Sequence, residues 1–109
     1  MRRELLERAR TSLPPRLNAG LLLGEGGCCI LGWMLLTAGF HEIALFGNPI
    51  GVVDPGHGGP APEVVADAYD LPLRDVQALA QLNDDTPSPD RVAAVAARLD
   101  ELLARGDER

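Results

Sequence analysis

From Cys28 to Phe40 thirteen consecutive residues carry no charge, and this run constrains the fold more than any other stretch. A membrane-spanning helix needs about 20 apolar residues, so the run is too short to cross a bilayer and reads as a buried core helix. The spacing places that helix from Cys28 or Cys29 to Ala38, with Gly39 near its C-terminal end. A helix that is apolar all round belongs at the centre of its fold. The other elements must then cover it.

Arg2 to Ser12 suits a first helix, with Leu5, Leu6, Ala9 and Leu13 on one stripe, and Pro14-Pro15 ends it. The cluster Gly24-Glu25-Gly26-Gly27, between Leu21-Leu22-Leu23 and Cys28-Cys29-Ile30, predicts either a short hairpin or a tight turn into the central helix. Residues 41–61 form an irregular Gly/Pro-rich segment, with Ile43–Phe46 and Ile50–Val53 as short strands or extended cover. Three helical pieces follow. One runs from Pro62 to Tyr69, and one from Pro72 or Leu73 to Leu82. The last has Ser88 as N-cap and Pro89 as first residue, a stripe of Val92, Val95, Ala96, Leu99, Leu102 and Leu103, and Gly106 as its end. The expected architecture is one mainly α domain over residues 1–109. It is a compact bundle of four to five helices around the central apolar helix, with room for one short β-hairpin.

The net charge of −6 is unevenly spread. Residues 1–16 hold five Arg against two Glu, residues 17–60 hold three acids and no base, and residues 61–109 hold eleven acids against five Arg. An acidic surface disfavours nucleic acid, whose affinity comes largely from neutralised phosphates. It suits a protein partner with a basic face. The two cysteines are neighbours, too few for a secreted disulfide framework, and no leader-like apolar segment follows the charged start. A cytoplasmic protein is expected.

Residues 52–59 (Val52-Val53-Asp54-Pro55-Gly56-His57-Gly58-Gly59) resemble the zinc-binding start of the N-acetylmuramoyl-L-alanine amidases. That resemblance implies His57 as a zinc ligand, followed by a glutamate, a second histidine and a catalytic glutamate. The only other histidine, His41, lies upstream, and Glu63 follows too closely, so the similarity is read as coincidental. Cys28, Cys29, His41 and His57 could supply a thiol nucleophile with an imidazole, or four zinc ligands. Their spacing lacks the close ligand pairs of structural zinc sites. No metal or cofactor is expected, and buried core packing is the expected role of the cysteines. His41 would sit at the negative end of the central helix.

Residues 65–79 follow the apolar spacing of a helix-turn-helix, with Ala66, Leu71, Val76 and Leu79 inside and Asp70 at the usual glycine position. The second helix offers Arg74 and Gln77, but also Asp75 and then Asn83-Asp84-Asp85, so a two-helix corner is expected without DNA reading. Across the whole chain, the order of features is similar to a set of small bacterial and phage proteins. There a glycine turn leads to a cysteine and glycine opening an apolar helix (here Gly26-Gly27-Cys28-Cys29-Ile30-Leu31-Gly32). An Asn-Asp pair (here Asn83-Asp84) later precedes a final amphipathic helix. That resemblance supports the fold and transfers no activity.

The expected function is that of a non-enzymatic, acidic protein-binding regulator or inhibitor, of the kind phages and mobile elements encode, occupying a partner's basic surface. Its contact residues would be Asp84, Asp85, Asp90, Asp100 and Glu101, with the Asp54–Pro60 loop as a further element. The alternatives are a small Cys- or zinc-dependent hydrolase, a helix-turn-helix-like domain, and a structural homo-oligomer subunit.

Overall fold

A computed structural model describes residues 1–19, 23–24, 27–40 and 61–105. Within them the chain forms five helices and one two-stranded hairpin. These are α1 (Arg3–Thr11), β1 (Leu23–Gly24), β2 (Gly27–Cys28), α2 (Ile30–Thr37), α3 (Ala61–Tyr69), α4 (Leu73–Asp85) and α5 (Arg91–Arg105). The expected mainly α bundle is therefore the observed one. The segment at 41–60, with His41, His57 and the two expected strands, lies outside the described residues, as does Gly106.

The uncharged run does become the central helix. Ile30, Leu31, Met34 and Leu35 are fully buried, and α2 packs against α1, α3 and α4. Burying such a side chain contributes about 1.5–3 kcal/mol each, which explains why the covering helices show narrow apolar stripes facing inward. The helix stops at Gly39, whose φ of +103° a side chain would resist. Its amide donates to the Leu36 carbonyl and the Phe40 amide to that of Leu35, the paired reverse bonds of a Schellman end.

The glycine cluster resolves as a hairpin, with Leu23 opposite Cys28 and Gly24 opposite Gly27. Helices α3 and α4 make the expected corner. Ala66, Leu71, Val76 and Leu79 are all buried, and Asp70 adopts the left-handed conformation at φ +51°. Aspartate tolerates that region better than most residues, so glycine is dispensable there. Tyr69 is the largest fully buried side chain, and its hydroxyl donates to the Met34 carbonyl in the centre of the bundle. The Arg2 amide donates to the Tyr69 carbonyl at 2.8 Å, which ties α1 to the corner.

Most helix ends fall within a residue of expectation, Ala61 joining α3 among them, and two differ by more. Helix α4 continues to Asp85 rather than ending at Leu82, because Asn83 is fully buried and finds its partners inside the fold. Helix α5 begins at Arg91, two residues after Pro89, so Ser88 and Pro89 belong to the preceding turn. The Asp90 carbonyl takes the first intrahelical bond, from Ala94 at 3.0 Å. The stripe on α5 holds: Val95, Leu99 and Leu102 are buried, with Val92 and Leu103 half-buried beside them.

Candidate interaction surface

The junction of α4 and α5 is organised by one buried amide. The Ile30 amide donates to Asn83 Oδ1 at 3.0 Å, which satisfies an N-terminal N–H of α2 that has no intrahelical carbonyl. Asn83 Nδ2 donates to the Asn18 carbonyl at 2.8 Å and to the Asp84 carboxylate at 3.2 Å. Asn18 in turn donates through Nδ2 to the Gly27 carbonyl at 2.6 Å, and its amide donates to the Cys28 carbonyl at 3.0 Å. Arg91 closes the cluster. Its Nε donates to the carbonyls of Asn83 at 2.7 Å and Thr86 at 3.0 Å, and its Nη1 to that of Leu17 at 2.7 Å. Four chain segments are thereby locked together: residues 17–18, the hairpin, the start of α2 and the α4–α5 turn.

This places the expected acids. Asp84 and Asp85 end α4, Asp90 immediately precedes α5, and all three are exposed around the locked turn. Asp84 is also engaged by Asn83. Acids at a helix C-terminus oppose its negative end, at a cost of about 0.3–1 kcal/mol each, so Asp84 and Asp85 lower the stability of α4 locally. Asp100 and Glu101 lie further along α5 and are already paired. Asp100 accepts from Arg10 at 2.9 and 3.3 Å, and Glu101 lies 3.5 Å from Arg98. The five expected residues therefore split into an acidic turn and two arginine-paired acids. The pairing with Arg10 also shows that α1's excess of arginine partly serves the chain's own C-terminal helix.

The cysteines are packed inside. Cys29 is fully buried at the cap position of α2, where its Sγ accepts the Gly32 amide at 3.4 Å. Burial raises its pKa, against the lowering effect of the Gly32 and Leu31 amides, and the Asp84 charge adds to the rise. Burial and the neighbouring Cys29 push the Cys28 thiol up to about 11. The lowering that a helix N-terminus exerts on a thiol is thus outweighed by desolvation. No cluster of metal-ligating residues occurs among the described residues, and His41 and His57 fall outside them. We expect iodoacetamide to leave both thiols unmodified in the native protein and to label both after denaturation. The unfolded thiols ionise near 9.0 and folded Cys28 near 11. The contribution of Cys28 to stability should therefore be constant below pH 9 and fall as pH rises through that interval, as the unfolded chain loses its proton first. A pH series of chemical denaturation curves checks this, with a Cys28→Ala control that makes the alkaline fall shallower and leaves the part due to Cys29 and Tyr69.

Asn18 and Arg91 were not among the residues singled out from sequence. An isolated Asn before a hairpin and an Arg in a helix carry no local signal of their long-range partners; only the Asn83-Asp84 pair was marked by the resemblance. No described helix is long and apolar enough to cross a membrane. No known protein family, curated protein or solved structure matches the chain.

Proposed function

We propose that this protein is a non-enzymatic regulator or inhibitor that acts in the cytoplasm by presenting the acidic α4–α5 turn to a basic surface on another protein. The observation that carries the reading is the exposure of Asp84, Asp85 and Asp90 around a turn fixed by Asn83 and Arg91. A rigid turn loses little conformational freedom on docking, so its charges are available without an ordering cost. The placement of two acids against the dipole of α4 supports the same reading, because stability is sacrificed there with no compensating contact for Asp85 among the described residues. If the partner is a nucleic-acid enzyme, the three carboxylates would take the place of phosphates in its basic groove. Such use of a partner's groove suits a phage- or mobile-element-encoded inhibitor.

The test is a partner isolated by tagged capture, followed by affinity measurements at several salt concentrations. Reversing the charge of Asp84, Asp85 and Asp90 together to lysine should weaken binding by at least about tenfold and flatten its salt dependence. Lysine at 84 and 85 complements the negative end of α4 whereas lysine at 90 opposes the positive end of α5, so the Tm of the triple variant is read beside its affinity and separates lost binding from lost folding. Unchanged affinity would remove this surface from the interaction.

A further inference from the structure

A cavity of about 330 Å³ opens on the side of the α4–α5 turn where the chain passes from Pro14-Pro15 toward the hairpin. It is lined by Pro15, Arg16, Leu17, Ser88, Pro89, Arg91 and Val92. Its size sits at the small end of ligand pockets. In a chain of net charge −6, the lining holds two guanidinium groups and no carboxylate. The two arginines differ in kind. Arg91 is half-buried and held by three carbonyl contacts through Nε and Nη1, so its charge is fixed in position while Nη2 has no partner among the described residues. Arg16 is exposed and has no hydrogen bond or ion pair with another described residue, so it can close over a ligand. Ser88 contributes a hydroxyl, and Arg91 and Val92 belong to the first turn of α5, the positive end of a 15-residue helix. Asp90 is exposed and does not line the cavity. Pro15, Leu17, Pro89 and Val92 supply apolar walls next to this charged corner.

We propose that this cavity binds a small phosphate monoester, the phosphate held between Arg16, Arg91 and Ser88 and a small apolar group resting against Pro15, Leu17, Pro89 and Val92. Guanidinium groups match phosphate oxygens in geometry and charge, and two of them around one volume favour a dianion over a monocarboxylate. This site is independent of the acidic turn's role in partner binding and survives its failure.

The test is an NMR titration of the intact protein with phenyl phosphate, inorganic phosphate and benzoate. Phenyl phosphate should shift the Arg91 and Val92 amides saturably and bind more tightly than inorganic phosphate, with benzoate weakest. Arg16→Gln, a change at an exposed residue outside the core, should weaken phenyl phosphate by about tenfold, the loss of one charge-assisted contact, with the Tm unchanged. Absence of saturable shifts in the unmodified protein, or equal binding by Arg16→Gln, overturns the proposal. Shifts that follow ionic strength alone, and appear equally with chloride, overturn it as well.

Discussion

Replacing Asn83 with alanine is expected to lower the unfolding free energy by about 3 kcal/mol, because it leaves buried groups of two other segments without partners. The Ile30 amide would lose its acceptor at the start of α2, and the Asn18 carbonyl would lose its donor. Each orphaned buried group costs about 1–3 kcal/mol, and water has no entry where Asn83 is fully buried. Asn83→Asp keeps an acceptor for Ile30 but loses the donor to Asn18, and it places a charge beside Asp84. It should therefore also destabilise, and more at neutral pH than in acid, where the new carboxyl is neutral. Urea denaturation of the three proteins at two pH values reads both effects. A loss below about 1 kcal/mol for Asn83→Ala would mean that the cluster is not a structural lock.

The second large effect is at Tyr69. Truncation to alanine should cost about 3–5 kcal/mol, the range for removing a large buried aromatic side chain, and should leave the fold marginal. Tyr69→Phe keeps the ring and loses the bond to the Met34 carbonyl, for about 1 kcal/mol. Burial raises the tyrosine pKa, against the lowering effect of Arg8 and Arg2, so the hydroxyl remains a donor well into alkaline solution. Comparison of the two variants by denaturation separates the ring from its hydroxyl. Similar losses for both would place the energy in the hydrogen bond instead of in the packing.

These two residues show where reading the sequence succeeds and where it stops. The central helix, the stripe on α5 and the α3–α4 corner were legible, because each depends on a periodic apolar pattern that a few adjacent residues display. Asp70 at a left-handed position was legible only by analogy with glycine. The lock was not legible. Asn83 sits in a run of polar residues that reads as a linker, and only its burial 53 positions away from Ile30 converts it into a capping group. The start of α5 was misplaced for a related reason: Ser88-Pro89 is a good opening signal, but the helix begins later, at Arg91, whose guanidinium is held by the Asn83, Thr86 and Leu17 carbonyls. The acidic turn was legible as composition. Its division from the two arginine-paired acids was not, because Arg10 and Asp100 are 90 positions apart.

The order of elements also sets a timetable for synthesis. The most apolar helix, α2, leaves the ribosome before α3 and α4, the helices that complete its cover. The Leu17 carbonyl must wait for Arg91, 74 positions later. At ~5–20 residues per second, the apolar face of the nascent chain stays uncovered for several seconds. Until its cover is made, that helix is exposed apolar surface of the kind that aggregates or is held by chaperones.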